Sequence, residues 1–333
     1  MELDLPLIWA AIIAFAILAY VILDGFDLGV GILFPLIRGE KHKDLAMNTV
    51  APVWDGNETW LVLGGAGLLA AFPLVYTVFL PALYIGVFLM LAGLIFRGVA
   101  FEFRFKSAPD RRGPWNVAFF GGSLVATFAQ GAVVGTFVQG FATEDFRFVG
   151  GPFDWLTPFT VMTGLGMVAG YGLLGATWLL LKTDGETQQW ARRWAYGLLA
   201  ALMVFFVIVS LWTPLVDDYV RSRWFDNLTW LWVLPVGTVL VAAGLWRSLG
   251  RDNDALPFIS TIALFAFFYG GLLFSKWPYV VPPSYTFQDA ASAPESQLFL
   301  LIGLLFVVPF VLMYTAWTYY VFRGKVRAGA GYH

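Results

Sequence analysis

Apolar segments long enough to cross a bilayer follow one another through this chain with short breaks between them. A spanning helix needs about 20 mostly apolar residues, and nine segments qualify: 7–37, 49–72, 75–101, 115–139, 157–181, 191–213, 228–247, 257–279 and 297–322. In hydrocarbon each segment must satisfy its own backbone hydrogen bonds, so the expected class is an all-α integral membrane protein. Composition agrees, because 59% of the 333 residues are hydrophobic and 13% are charged, against about 25% charged in soluble domains. The longest connections, 140–156, 214–227 and 280–296, hold no soluble domain, and no internal repeat is visible. The acidic start "MELDLP" lacks the basic region of a cleaved signal peptide, so the first segment is expected to remain as a span.

The placement of charge gives an orientation. Arg38, Lys41, Lys43, Arg97, Arg104, Lys106, Arg111, Arg112, Lys182, Arg192, Arg193, Arg247, Arg251, Arg323, Lys325 and Arg327 fall on one side of a nine-span layout. Only Arg147, Arg221, Arg223 and Lys276 fall on the other, beside Glu144, Asp145, Asp154, Asp217, Asp218 and Asp226. The positive-inside rule then places the N-terminus outside and the C-terminus in the cytoplasm. With a net charge of −2 and no basic domain, nucleic acid is not an expected partner.

Two stretches break the apolar pattern, "VILDGFDLGVGILFPL" at 21–36 and "VAPVWDGNETWLVLGGAGLL" at 50–69. An acid at the centre of a span costs about 2.5–3.5 kcal/mol on insertion scales, so it faces protein or water and marks a pathway. Asp24 and Asp27, three residues apart, share a helix face, and Asp55 and Glu58 do the same. At about 1.5 Å per residue, Asp27 should lie about 16 Å from Arg38 and Glu58 about 15 Å from Asn48, with Asp55 shallower at about 10 Å and Asp24 deeper at about 21 Å. One reading is a line of protonatable groups running inward from the cytoplasm. A second has the acids fixed by backbone amides, with Asp55 and Asn57 holding the hairpin together. Cation coordination is a weaker third. Arg97, Glu102 and Arg104, at the end of the third segment, read first as interfacial anchors and loop ion pairs, although a basic residue there can meet a carboxylate of the neighbouring hairpin. Trp54 and Trp60 flank the second motif as packing residues or as the aromatic wall of a quinone or gas route. Small residues such as Gly25, Gly29, Gly64, Gly65 and Gly67 suit close helix approach.

The chain has no cysteine, which excludes disulfides, iron–sulfur clusters, thiolate metal sites and covalently attached haem within it. Its two histidines are His42, in a charged loop, and His333, the last residue. Haem in a bundle takes His or Met ligands from the helices, and methionines 90, 162, 167, 203 and 313 read as space-filling. No hydrolytic, zinc or phosphate-loop motif is present.

The motifs "DGFDLGVG" and "PVWDGNETWL", with "FRGVAFEFR" at 96–104, "VVPPS" at 280–284 and "MYTAW" at 313–317, resemble subunit II of the cytochrome bd-type quinol oxidases, with some likeness to the cyanide-insensitive branch. The resemblance covers the whole chain. It implies one component of a bacterial inner-membrane enzyme that oxidises quinol and reduces oxygen to water without pumping. It also implies two four-helix bundles, 1–140 and 141–280, and a peripheral ninth helix with a cytoplasmic tail, 281–333. Haems b and d would belong to partner subunit I, and this chain would stabilise that partner; a small single-helix accessory subunit accompanies some members. By the same resemblance Asp24, Asp27 and Asp55 lie on a cytoplasmic proton route, with Glu58 at a position that varies between Glu and Gln. Trp60 matches a residue near an oxygen route, and Trp54 and Arg97 lie where some members hold a structural ubiquinone. Against these expectations stand a stand-alone ion-coupled transporter, which buried acids alone would allow, and a purely structural subunit.

Overall fold

The computed structural model describes residues 3–227 and 229–326; Arg327, His333 and the rest of the expected tail lie outside the described residues. The helices in chain order are α1 (Leu5–Leu33), α2 (Glu40–Val50), α3 (Trp54–Ala71), α4 (Pro73–Lys106), α5 (Gly113–Gln139), α6 (Pro158–Lys182), α7 (Gly185–Val216), α8 (Asp218–Ser222), α9 (Val233–Ser248), α10 (Ala255–Lys276) and α11 (Pro294–Val321). Proline stands in the first turn of α1, α4, α5, α6 and α11, where its missing N–H costs nothing and its fixed φ suits the helix. Asp4 caps α1 by accepting from the Leu7 N–H at 3.1 Å, and Thr157 forms a capping box with Thr160 at the start of α6.

Seven described helices, α1, α4, α5, α6, α7, α10 and α11, are long and apolar enough to cross a membrane. The chain is therefore a multi-pass helical membrane protein. The other two of the nine segments form α3 and α9. Polar residues fill the start of α3, and the 16 residues of α9 reach about 24 Å against a hydrocarbon core of about 30 Å.

The second expected segment, 49–72, needs correction. Residues 40–50 form the separate helix α2, a turn occupies 51–53, and α3 begins only at Trp54. Pro52 sits in that turn, where its ring and missing N–H oppose a continuous helix. Depths counted along one straight helix from Asn48 therefore do not hold.

α1 packs on α3, α5 and α6; α4 packs on α5 and α3; α6 packs on α7 and α10; α9 packs on α10; and α11 touches α3 and α1. Every residue of α1 from Asp24 to Leu33 is buried, as is every residue of α6 from Ala169 to Leu180. These two half-helices form the centre of the molecule. Their approach is backbone to backbone: a Cβ on Gly29 would fall on the Tyr171 carbonyl, and one on Gly175 would fall on Gly29 and Val30. Gly93 of α4 and Gly122 of α5 make a second such crossing. The sequence pointed to Gly29 for this purpose, whereas Gly64 and Gly65 leave ordinary room for a side chain and Gly67 is only slightly tight against Ile13. By contrast α11 buries only Gln297 among its described residues and turns Phe299, Phe306, Phe310 and Trp317 outward.

The two ends of the bundle differ. At one, Arg104 and Arg112 meet Asp44, His42 meets Glu186, and Lys325 meets Asp184 and Asp254. At the other, two antiparallel hairpins, β1 (Thr143–Glu144) with β2 (Arg147–Phe148) and β3 (Tyr279–Val281) with β4 (Tyr285–Thr286), are tied by Thr143 Oγ1 donating to Ser284 Oγ at 2.7 Å and the Phe146 N–H donating to the Tyr285 hydroxyl at 2.8 Å.

Candidate functional site

Arg97 of α4 is fully buried between α1 and α3. Its Nη1 donates to Asp24 Oδ1 at 2.6 Å and its Nη2 to Glu58 Oε1. Asp24 is closed off, while the Glu58 side chain is 26% exposed, so the cluster opens on the α3 side. Asp27, one turn along α1, is also fully buried and accepts from Asn57 Nδ2 at 2.7 Å. The same Asn57 amide donates to the Leu23 carbonyl at 3.2 Å, and its Oδ1 accepts from the Tyr319 hydroxyl of α11 at 2.9 Å. One amide thus ties α1, α3 and α11 together.

The polar path continues inward. Tyr20 lies beside Asp24 and accepts from Gln130 Nε2 at 2.8 Å, and Tyr171 donates to Gln130 Oε1 at 2.8 Å. Five helices, α1, α3, α4, α5 and α6, therefore contribute to a connected set of groups at the molecular centre. Asp24 Oδ2, Asp27 Oδ1 and Arg97 Nε are buried without a hydrogen-bond partner. A single guanidinium cannot pair with three carboxyl groups, and burying unpaired charge is costly. The charge of this cluster consequently depends on how many protons it holds.

The sequence-derived acids divide. Asp24, Asp27 and Glu58 come together, but Asp55 is exposed in the first turn of α3, where a carboxylate suits the helix N-terminus. Arg97 is no interfacial anchor; α4 runs on to Lys106, which leaves Arg97 more than two turns inside the helix. Arg104 is instead the end clamp, bonded to Asp44, Glu40 and Asn116, and Glu102 pairs with Lys106 on the surface at 2.9 Å. Trp54 stacks on Phe101 at 5.1 Å and lies 5.7 Å from the Arg97 guanidinium. A quinone there would meet Trp54 and not the guanidinium, which is buried and committed to two acids. Trp60 is buried against α1, edge-on to Phe15 at 5.6 Å.

Tyr20, Gln130, Tyr171 and Tyr319 escaped the sequence reading. Gln130 carried a usable signal, an amide in the middle of an apolar span whose other amides, Asn116 and Gln139, stand at its ends. For haem, His42 is the one histidine among the described residues; its Nδ1 lies 2.7 Å from Thr187 Oγ1 at the end of the bundle, away from the central helices. No group of three or more His, Cys, Asp or Glu among the described residues is placed to hold a metal ion.

These features define a polytopic helical membrane protein with acids and an arginine paired in its buried core. A family model for cytochrome bd terminal oxidase subunit II matches residues 5–322, and the chain belongs to that family. Similar proteins include cytochrome bd-I ubiquinol oxidase subunit 2 of Escherichia coli K12, 28% identical over 97% of this chain and 95% of the relative. Cytochrome bd ubiquinol oxidase subunit 2 of Bacillus subtilis is 29% identical over 96% of each chain. The solved structure of bd oxidase from Geobacillus thermodenitrificans contains a chain of the same fold, with a TM-score of 0.77 at 18% identity, covering 96% of this chain and 100% of that one. A transporter working alone is not favoured.

Proposed function

We propose that this chain is the haem-free subunit of a bacterial inner-membrane complex that oxidises quinol and reduces oxygen to water, and that its buried acids deliver protons from the cytoplasm. The names of its relatives support the quinol substrate. In this reading the chain spans the membrane nine times, N-terminus periplasmic and C-terminus cytoplasmic, as the charge bias favours. Helices α1, α3, α4 and α5 form the first bundle, α6, α7, α9 and α10 the second, and α11 is peripheral, with boundaries near residues 140 and 280. The exposure of α11 supports its peripheral place, and α1 and α5 pack on α6 where the two bundles meet. Haems b and d reside in the partner subunit, which this chain stabilises. Asp24, Asp27 and Glu58 exchange protons around Arg97, and Asp55 lies at the wet end of the hairpin. The observation that carries the proposal is a single buried guanidinium paired with Asp24 and Glu58 beside a third acid, Asp27, with one buried oxygen of Asp24 and one of Asp27 lacking a protein partner.

Asp27→Asn in the purified complex provides the test. Quinol-driven oxygen consumption should fall about a hundredfold or more, within the range of a lost proton-transfer group, while the reduced-minus-oxidised haem spectrum stays unchanged. Full turnover across the pH range would remove Asp27 from the route. Loss of haem together with turnover would mean that the acid serves assembly alone.

A further inference from the structure

At the basic end, the turn between α2 and α3, the end of α6 and the end of α11 enclose a cleft of about 400 Å³, within the range of about 300–1,000 Å³ for ligand sites. Lys182, Arg323 and Lys325 line it, with no carboxylate among the described residues of its wall. The three cations are not equivalent. Lys325 is matched: it bridges Asp184 at 2.7 Å and Asp254 at 2.6 Å, and Arg192 on Asp254 completes the balance. Lys182 is 7% exposed; its ammonium donates to the Phe322 carbonyl at 2.6 Å and lies 5.3 Å from the Trp178 ring centre. Arg323 donates to the Tyr320 carbonyl at 3.3 Å and lies over the Tyr320 ring. Among the described residues neither meets an acid. A buried ammonium without a counter-charge is costly, and one carbonyl occupies only one of its three N–H bonds. Trp178, 4% exposed and also in the wall, has an indole N–H with no protein partner.

We infer that this cleft binds the phosphate group of an acidic phospholipid, with Lys182 and Arg323 as its cations. The inference is independent of the proton reading above. Two features select a lipid over a small soluble anion. Lys182 ends α6 and Val321 ends α11, both long and apolar enough to cross a membrane, so the cleft lies at the level of the bilayer surface. Its rim is apolar as well: Val321 and Phe322 are 51% and 43% exposed, and α11 turns Phe310 and Trp317 outward beyond them, a surface suited to acyl chains. Basic pockets between spanning helices on the cytoplasmic side hold anionic headgroups. Charge selects among the lipids. A zwitterionic headgroup would bring an amine into a cleft that has two unmatched cations and no carboxylate, whereas an acidic headgroup brings only its phosphate. Asn48 Oδ1, a wall residue's acceptor without a protein partner, suits a headgroup that carries hydroxyls.

The absence of cysteine from this chain allows a probe to be placed at the cleft alone. The whole complex carrying Val321→Cys is labelled with a benzophenone maleimide, reconstituted into phosphatidylcholine nanodiscs holding a small fraction of fluorescent phospholipid, and illuminated. Lipid crosslinked to this subunit is measured with phosphatidylglycerol and with phosphatidylethanolamine of the same acyl chains. Phosphatidylglycerol should be captured several-fold more. Lys182→Met, which keeps the apolar stem, and Arg323→Gln should each reduce that capture several-fold with the haem content of the complex unchanged. Arg323 is exposed, so Arg323→Gln carries the test if Lys182→Met fails to assemble. In unlabelled complex, native mass spectrometry should show fewer bound phosphatidylglycerol molecules for Arg323→Gln than for wild type. Equal capture of the two lipids, or a preference that both substitutions leave intact, overturns the site. Loss of phosphatidylglycerol capture in excess inorganic phosphate, with sodium chloride of equal ionic strength having no effect, would assign the cleft to a soluble phosphate and overturn the lipid. Asp27→Asn should capture lipid as wild type does, so a failure here leaves the acid cluster standing.

Discussion

Arg97 and Arg104 stand seven residues apart on α4, on one face, and both are fully buried. Arg104 uses its whole guanidinium: Nε donates to Asn116 at 2.6 Å, Nη1 to Asp44 at 2.6 Å and Nη2 to Glu40 at 2.9 Å. Its acids are wet, with the Glu40 and Asp44 side chains 46% and 35% exposed. Arg97 has an idle Nε, one acid sealed from solvent and another only partly open. The first arrangement is complete and fastens α2 to the ends of α4 and α5. The second is incomplete in protein alone, as the proposed proton role requires. Buried charge thus takes two forms on one helix, distinguished by whether every hydrogen-bonding atom is already taken.

Substitutions sharpen that contrast. The largest effect should follow Arg97→Met, which strands Asp24 and Glu58 without their cation. Breaking a buried pair from one side costs about 3–5 kcal/mol, and the yield of assembled, haem-bearing complex should fall about tenfold or more. A complex that assembled normally would show that Arg97 is dispensable to the core. Arg104→Gln should cost less, about 1–3 kcal/mol for lost charge-assisted hydrogen bonds. Its thermal midpoint deficit in detergent should shrink in high salt, because the partners are solvated, and turnover should stay near wild type. A large turnover defect at Arg104 would erase the distinction. The smallest effect lies away from both clusters, at Asp289, whose carboxylate accepts from the Thr286 N–H at 2.9 Å and hydroxyl at 2.6 Å. Those bonds hold its carboxyl below the ordinary range. A depressed folded value gives stability that is present above the unfolded pKa and is lost as pH falls through the folded one. Asp289→Asn should therefore increase proteolysis of the β3–β4 connection near neutral pH and make little difference in strong acid; equal cleavage of variant and wild type at neutral pH would show that the turn does not depend on the carboxylate.

The acids were legible in the sequence because a charge inside an apolar helix is expensive enough to be conspicuous. Asp24 and Asp27 fall in the core as that argument requires. The break between α2 and α3 was obscured because "TVAPV" continues the apolar run, and only Pro52 hints at the turn. The first-ranked reading of Arg97 as an anchor fails for a related reason, since the aromatic-rich "FEFRF" reads like a membrane interface yet is still helix, whereas the second reading, a pairing with carboxylates of the neighbouring hairpin, is what forms. Tyr319 could not be found at all. Its contact with Asn57 spans 262 positions, and "TYYVF" at the end of an apolar helix looks like an aromatic belt.

The crossing of α1 and α6 at Gly29 and Gly175 has an electrical consequence. Where two backbones touch, no lipid tail and no file of water can run between the halves of the molecule. Asp27 lies two residues from that joint. In the proposed reading the crossing acts as insulation beside the acids, a barrier to any parallel path that would dissipate the membrane voltage.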